Sequence, residues 1–389
     1  MYQMHIPTNT IFGAGTLKSL HKQALPGRKA MIVISNGKST RANGYLDQVE
    51  EQLRMAGATF VVFDKVQANP LKATVEEGAA FARAHECDFV LALGGGSVMD
   101  AAKVMAMLAN ETGDDLWDYV LAGTGKALPR TGKALPVVAV TTTAGTGSEV
   151  DTYGVITNPA THEKIGLGWD DMFPVLAIVD AELMLTVPPA FTAYQGFDAL
   201  FHSTEGYISR AANPVSDMFA LKAIENVSRN LAACVNDGHN LAARERVAFG
   251  NTLSGYQMVA GSTSSKHSLE HAMSGYHQEL PHGAGLIMLS VAYYTHFINA
   301  HACDDRFVTM ARAMGMEHAT EPRDFITALT RLQEACGVAD LKMSDYGIQP
   351  SEFMTLTKNA KSSMGKLFEC DRVQLSDEDC VAIYRAAYK

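Results

Sequence analysis

Short apolar runs alternate with helical patterns in the first half of the chain. The apolar runs predict buried strands and read KAMIVIS, TFVVFD, CDFVLALGGG and LPVVAVTTT. The segments between them have amphipathic helical spacing and read GYLDQVEEQLRMAG, TVEEGAAFARAHE and SVMDAAKVMAMLAN. Strands that alternate with helices predict a parallel sheet, and continuous apolar runs predict strands covered on both faces.

The pattern changes at the segment LTVPPAF, where Pro188 and Pro189 interrupt the chain. Beyond it, apolar residues follow helical spacing, as in SDMFALKAIENVSRNLAACV and PRDFITALTRLQEAC. Ser376 is placed to cap the last helix, because acidic residues follow it directly. We therefore predict a Rossmann-like parallel α/β domain over residues 1–188 and an all-helical domain over residues 189–389, with the functional site in the cleft between them.

Composition and charge exclude several classes of protein. The chain has 389 residues and a net charge of -10, which disfavours binding to nucleic acid or to an anionic membrane. No run of about 18 apolar residues is present, and the start MYQMHIPTNTIFGAG lacks the features of a signal peptide. The six cysteines form no CxxC pair. These features predict a cytoplasmic protein with reduced thiols.

Two glycine-rich turns follow predicted strands. The first, LALGGGSVMDAAK, places Gly95, Gly96 and Ser97 between a strand and a helix, where backbone amides and the helix dipole favour an anion. The second, VVAVTTTAGTGSEV, places Thr141 and Thr142 at the end of another strand. Ligands of open α/β sheets bind at that edge. The two turns together predict a dinucleotide site, although neither is the GxGxxG fingerprint and each alone is explained by ordinary turn structure.

The segment VISNGKSTR bears on the choice of dinucleotide. A carboxylate at this place would bind the 2′-hydroxyl of NAD and repel the 2′-phosphate of NADP. The segment offers Asn36 and Ser39 instead, with the cations Lys38 and Arg41 close by. It therefore favours NADP over NAD, unless the two cations are merely solvated.

Two pairs of metal-ligating residue types are spaced four apart. The first pair is Asp198 and His202 in GFDALFHSTEGYIS, and the second is His267 and His271 in KHSLEH. Residues four apart share one face of a helix. His282 follows in LPHGAG. A carboxylate with several imidazoles suits Fe²⁺ or Zn²⁺, whereas each pair alone is more often a surface or capping pair.

An ordered set of motifs resembles the iron-containing (group III) alcohol dehydrogenases over essentially the whole chain. The motifs read FGAGTL, NPLKATVEEG, GGGSVMDAAK, TTTAGTGSEV, AIVDAELMLTVPP, GFDALFHSTEGYIS, ANPVSD and PHGAGL. The resemblance implies metal ligation by Asp198, His202, His267 and His282. It places His271 near the substrate and the nicotinamide, as a catalytic residue that relays a proton.

The resemblance also implies a set of residues around the cofactor. They are Asn69, Gly95, Gly96, Ser97, Thr141, Thr142, Thr146, Lys164 and Leu183. Two positions depart from the family pattern. The loop SGYHQEL is longer than in many relatives, which leaves His271 and His277 as alternatives to His267. Asn36 stands where relatives that use NAD often carry Asp.

The activity implied by the resemblance is reversible oxidation of a small alcohol to an aldehyde or ketone. The expected cofactors are Fe²⁺, with Zn²⁺ as the alternative, and NADP, with NAD as the alternative. The alternatives within the same fold are a zinc-dependent polyol dehydrogenase of the glycerol type and a metal-free reductase, and outside it a non-enzymatic nucleotide or metal sensor. A homodimer or larger homo-oligomer is expected. Four aromatic residues are candidates for an apolar substrate wall: Tyr153, Phe191, Phe197 and Phe368.

Overall fold

The computed structural model describes residues 4–389, and its first half contains a six-stranded parallel sheet. The described residues form eight strands, six of which belong to this sheet: β1 (Asn9–Phe12), β2 (Lys29–Ser35), β3 (Thr59–Val66), β4 (Phe89–Gly94), β5 (Val137–Thr141), β6 (Gly154–Asn158), β7 (Glu163–Leu167) and β8 (Leu176–Val179). The order across the sheet is β1-β8-β5-β4-β2-β3, and β6 pairs with β7 as a separate antiparallel hairpin. The predicted parallel sheet is confirmed. Residues 1–3 of the predicted α/β domain lie outside the described residues.

Helices cover both faces of this sheet. They are α1 (Ser39–Ala42), α2 (Tyr45–Met55), α3 (Lys72–Ala84) and α4 (Gly96–Leu108). The apolar side chains of α2 pack on one face, and those of α3 and α4 pack on the other. Every residue of β4 and β5 is therefore buried. This covering is the physical reason why the two central strands read as continuous apolar runs.

The periodicity did not predict four of the strands. β1 and β8 have only four residues each, and β1 is an edge strand with both of its end residues exposed. Runs this short carry too few apolar positions to stand out from a loop. The hairpin of β6 and β7 lies between the second glycine turn and β8, and it brings Lys164 to the cleft.

The second half consists of helices packed around one large core. They are α5 (Pro189–Ile208), α6 (Pro214–Asn236), α7 (Leu241–Ala260), α8 (Ser265–Tyr276), α9 (His282–Asn299), α10 (Asp304–Ala313), α11 (Arg323–Ala335), α12 (Phe353–Met364), α13 (Lys366–Glu369) and α14 (Asp377–Ala387). The predicted cap of the last helix is confirmed, because Oγ of Ser376 accepts a hydrogen bond from the amide of Asp379 at 3.1 Å. The domain division after residue 188 stays a prediction, and α5 begins at the next residue.

A cleft of about 730 Å³ lies between the two halves. The carboxyl end of β4 and the loop after β5 form one wall, and α5, α8 and the start of α9 form the other. Among residues 4–389, no helix is both long enough and apolar enough to cross a membrane. The fold thus places the two glycine turns opposite the histidine-bearing helices.

Candidate metal centre and cofactor cleft

Three helices of the second half bring the predicted metal-ligating residues together. Asp198 and His202 lie one turn apart on α5, and His267 and His271 lie one turn apart on α8. His282 is the first residue of α9. All five line the cleft. Helical spacing places each pair on one face, and the packing of α5 against α8 and α9 closes the group.

One carboxylate oxygen lies at the centre of this group. Oδ1 of Asp198 is 3.6 Å from Nε2 of His202 and 3.5 Å from Nε2 of both His267 and His282. The rings of His202 and His267 are stacked, with centroids 4.5 Å apart. Three imidazole nitrogens therefore face one carboxylate oxygen at nearly equal distances.

These distances fit a shared metal ion better than hydrogen bonds. Oδ1 of Asp198 and Nε2 of His267 are buried and have no hydrogen-bond partner among residues 4–389. An oxygen–nitrogen distance near 3.5 Å is longer than the donor–acceptor distance of a good hydrogen bond. Ligand atoms about 2.1 Å from a tetrahedral ion would lie about 3.4 Å apart. The donor set thus has the separation and the unsatisfied atoms that a divalent cation requires.

Two further carboxylates orient the imidazoles. Oε1 of Glu205 accepts a hydrogen bond from Nδ1 of His267 at 2.8 Å, and Oε2 of Glu270 contacts Nδ1 of His282. Both carboxylates are fully buried. A carboxylate on Nδ1 turns Nε2 toward the metal and makes it a better electron donor. The arrangement is therefore that of two carboxylate–histidine pairs aimed at one point.

Sequence reasoning did not identify Glu205 and Glu270. Glu205 lies three residues after His202 on α5, and Glu270 lies three residues after His267 on α8. A signal was present, because residues three apart share a helix face. Spacing alone does not distinguish a carboxylate that supports an imidazole from one that meets solvent.

The cluster has perturbed protonation. Burial alone would raise the pKa of Asp198, but the facing His202 and His282 hold that pKa well below its ordinary value. Burial lowers the pKa of His202 to about 4, so its ring is neutral at pH 7. At His267 burial is outweighed, chiefly by Glu205, and the pKa rises to about 9. Metal binding at Nε2 would displace the proton of His267, so metal affinity should rise with pH.

His271 and His277, the alternatives to His267, occupy different surroundings. The ring centroid of His271 is 5.2 Å from that of His282, and Nδ1 of His271 is buried without a hydrogen-bond partner in the described residues. Burial, with a further contribution from Lys164, holds the pKa of His271 well below its ordinary value. His277 directly follows the last residue of α8, pairs with Glu352 at 3.2 Å and does not line the cleft.

Glu270, His271 and His282 form a second group close enough to hold an ion. This group shares His282 with the group of Asp198 and His267. The Asp198 group has three imidazoles within 3.6 Å of one oxygen. It is therefore the more complete of the two donor sets.

Most of the predicted cofactor residues line the opposite wall of the cleft. Those that do are Ser39, Asn69, Gly95, Gly96, Ser97, Thr142, Thr146 and Lys164. Within the described part of the chain, no side chain caps the N-terminus of α4, which begins at Gly96. The first amides of α4 are therefore available to an anion.

Close packing explains the two glycines of the first turn. A Cβ added at Gly95 would lie 2.8 Å from Oγ1 of Thr143, and one added at Gly96 would overlap the side chain of Thr146. The turn after β4 thus lies directly against the loop after β5. Glycine at both positions allows this close approach of the two loops.

Three predicted cofactor residues do not line the cleft. Asn36 is exposed beside Ser35, which does line it. Thr141 is fully buried, and its hydroxyl donates to the carbonyl of Thr143 at 2.8 Å. Leu183 is buried and faces a separate, smaller cavity. Their places in the sequence motifs did not reveal which way their side chains point.

The four aromatic candidates for a substrate wall divide equally. Tyr153 and Phe191 line the cleft. Phe197 and Phe368 are buried in the core of the second half. Leu121 and Trp169 also line the cleft and were not identified from the sequence.

Two family models together cover most of the chain. The model described as iron-containing alcohol dehydrogenase matches residues 7–181, and the one described as Fe-containing alcohol dehydrogenase family, C-terminal, matches residues 192–388. The chain belongs to the iron-containing alcohol dehydrogenase family. The family predicted from the sequence motifs is thereby confirmed. Membership implies a metal ion and a nicotinamide cofactor.

Individual relatives of this family match over more than nine-tenths of their length. The 1,3-propanediol dehydrogenase of Klebsiella pneumoniae is 33% identical over 100% of this chain and 99% of its own. The NAD-dependent methanol dehydrogenase of Bacillus methanolicus is 30% identical over 92% of this chain and 93% of its own. The crystal structure of an archaeal halo-thermophilic alcohol dehydrogenase from a Red Sea brine pool superposes with a TM-score of 0.94, at 32% identity and with coverage of 100% and 99% of the two chains.

Proposed function

We propose that the protein is an alcohol dehydrogenase that transfers hydride reversibly between a small alcohol and a nicotinamide cofactor. The observation that carries this proposal is the meeting of two walls in one cleft. Asp198 and three imidazoles converge on one point of the helical wall. The glycine turn of Gly95 and Gly96 lies on the other wall.

Asp198, His202, His267 and His282 hold the metal in this proposal. When bound there, the ion supplies a Lewis acid that polarises the substrate oxygen. Glu205 and Glu270 keep two of the imidazoles in the orientation that points Nε2 into the cleft. The protein itself thus contributes position, and the hydride chemistry belongs to the cofactor.

His271 is the proposed proton carrier. Its ring lines the cleft, and its Nδ1 has no hydrogen-bond partner among the residues that the structure describes. Its depressed pKa keeps the ring neutral at pH 7, so one ring nitrogen is free to accept a proton. An alcohol that is oxidised must lose its hydroxyl proton, and a neutral imidazole within the cleft is suited to take it toward solvent.

We propose Fe²⁺ as the metal. One carboxylate and three imidazoles suit Fe²⁺ and Zn²⁺ alike, so the preference rests on family membership. The substrate is proposed to be a small alcohol or its aldehyde. Tyr153, Phe191 and Leu121 provide apolar surface along the cleft. Apolar contacts of this kind separate substrates by about 1–3 kcal/mol per methylene.

We propose NADP(H) as the preferred nucleotide. Asn36 is exposed beside Ser35 and Ser39, which line the cleft. Arg41 is paired with Asp64 at 2.8 Å, whereas Lys38 forms no ion pair within residues 4–389. Lys38 is therefore the cation left to meet a 2′-phosphate.

Asn36→Asp is expected to lower the ratio of kcat/KM for NADPH over NADH by about tenfold. The new carboxylate repels the 2′-phosphate, and the exposure of this position limits the effect through solvent screening. Steady-state kinetics with both nucleotides measure the ratio. Asn236→Asp, the same change at an exposed position outside the cleft, serves as the control. An unchanged ratio in Asn36→Asp would show that this residue does not select the nucleotide.

Metal analysis combined with turnover on a panel of short-chain aldehydes tests the proposed function. The purified protein should bind about one Fe²⁺ per chain and oxidise NADPH with at least one aldehyde. Removal of the metal with a chelator should abolish turnover, and Fe²⁺ should restore it. A protein that binds metal and NADPH but turns over none of the aldehydes or alcohols would favour a sensor.

We further propose a cytoplasmic homodimer or larger homo-oligomer. All six cysteines are free thiols, as is usual in a reducing compartment.

The edge strand β1 ends at Phe12, which is exposed and contacts the exposed Phe249 edge to face. An edge strand with apolar neighbours is a surface that a second copy would cover. A monomer mass of 41.9 kDa in light scattering would contradict the oligomer.

A further inference from the structure

The two carboxylates that support the metal-facing imidazoles have different neighbours. Glu205 contacts Lys266 and Ser264, which belong to the same helical half. Glu270 lies 3.7 Å from Nζ of Lys164, which belongs to strand β7 in the first half. Only the second carboxylate is therefore connected across the cleft to the wall that carries the glycine turns.

Lys164 is held by three groups at once. Its Nζ donates to Oδ1 of Asn69 at 3.0 Å and to Oγ of Ser274 at 2.9 Å, besides facing Glu270. Lys164 and Asn69 both line the cleft. A ligand that enters the cleft along this wall thus contacts Lys164, whose positive charge also interacts with the carboxylate of Glu270.

Asn69 continues the connection to the loop before His282. Its Nδ2 donates to the carbonyl oxygens of Gln278 at 3.1 Å and Leu280 at 3.4 Å. Both acceptors belong to the longer loop SGYHQEL. The backbone of Asn69 has a φ of 51°, a left-handed conformation that a non-glycine residue keeps only when its surroundings hold it. Asn69 is therefore fixed between the wall that carries the glycine turns and the wall formed by α5, α8 and the start of α9.

We propose that Lys164 and Glu270 are positioning residues that couple nucleotide binding to metal binding. This inference rests on the proposed function, because it assumes that a nucleotide and a metal ion share the cleft. A nucleotide oxygen near Lys164 competes with the carboxylate of Glu270 for the positive charge of the lysine. The carboxylate of Glu270 then accepts a stronger hydrogen bond from Nδ1 of His282. This makes Nε2 of His282 a better electron donor to the metal. Each ligand thereby tightens the binding of the other.

Glu205 provides a matched control within the same site. It supports His267 as Glu270 supports His282, and both carboxylates are fully buried. The partners of Glu205 are His267, Lys266 and Ser264, none of which belongs to the opposite wall. Replacing either glutamate removes one carboxylate–histidine pair, but only Glu270 carries the connection to the nucleotide.

The test measures Fe²⁺ affinity by anaerobic competition with a chromogenic chelator, with and without saturating NADP⁺. In the wild-type protein NADP⁺ should tighten Fe²⁺ binding by about tenfold, within the usual range of coupling between sites. Glu270→Gln and Glu205→Gln should each weaken Fe²⁺ binding by about 10-fold to 100-fold. The tightening by NADP⁺ should persist in Glu205→Gln and disappear in Glu270→Gln and Lys164→Met.

Three outcomes would overturn the coupling. They are an unchanged Fe²⁺ affinity on addition of NADP⁺ to the wild type, full tightening in Glu270→Gln, and loss of tightening in Glu205→Gln as well. The first would leave the proposed function intact if the same preparation reduces aldehydes. A wild-type protein that binds neither Fe²⁺ nor NADP⁺ would overturn the proposed function and the coupling together.

Discussion

Asp198→Asn is expected to lower kcat/KM by at least about 10³-fold and to leave the purified protein with little metal. Oδ1 of Asp198 lies within 3.6 Å of Nε2 of His202, His267 and His282. The amide has nearly the same shape but no charge, so a divalent cation loses its only anionic ligand among these four residues. Several kcal/mol of transition-state stabilisation then disappear, and each 1.36 kcal/mol is tenfold in rate.

Three measurements make this result specific to the metal. Metal content by elemental analysis and kcat/KM should fall together, whereas the Kd for NADP⁺ should rise by no more than about tenfold, which is the loss of the coupling between the two ligands. Asp217→Asn is the matched control, because Asp217 pairs with Arg306 at 2.9 Å and lies outside the cleft. Its metal content and rate should stay at the wild-type level. An Asp198→Asn protein that retains both metal and rate would exclude Asp198 as a ligand.

Gly96→Ala is expected to weaken NADP⁺ binding by about 10-fold to 100-fold while metal binding persists. The added methyl group overlaps the side chain of Thr146, which must then move within the cleft. Overpacking of this kind costs about 1–3 kcal/mol, and about 1.4 kcal/mol is tenfold in affinity. Titration of protein fluorescence or calorimetry with NADP⁺ measures the loss.

Gly238→Ala is the matched control for this change. Gly238 lies outside the cleft, and the nearest neighbour of an added Cβ would be Nη2 of Arg244 at 3.3 Å, with no overlap. Melting temperatures of both variants separate a local effect on the cleft from a loss of folding. Wild-type affinity for NADP⁺ in Gly96→Ala would mean that the first glycine turn does not contact the nucleotide. Together with Asp198→Asn, the variant separates the two walls of the cleft functionally.

Local patterns in the sequence predicted the larger elements. The central strands β4 and β5 were visible because both of their faces are buried, which leaves a continuous apolar run. The pairs Asp198–His202 and His267–His271 were visible because four-residue spacing is a property of a single helix. The strands β1 and β8 were not predicted, because runs of four residues show little periodicity. Only their pairing with strands that are distant in sequence places them in the sheet.

The sequence did not predict which individual side chains point into the cleft. Leu183 belongs to a motif that resembles the family, yet its side chain faces a separate cavity. Thr141 lies beside cleft residues but points into the interior. One residue of shift along a strand reverses the face of a side chain, so membership in a motif does not decide which residues meet a ligand.

The sequence by itself determined the family, the class of fold and the set of metal-ligating residue types, because motifs and helical spacing are local properties of the chain. Only the tertiary structure decided which groups meet. Glu205 contacts His267 across 62 residues, and Lys164 reaches Ser274 across 110. Such contacts depend on how helices and hairpin pack in space. The burial of Glu205 and Glu270 beside the imidazoles, and the approach of Glu270 to Lys164 of strand β7, therefore appear only in the folded protein.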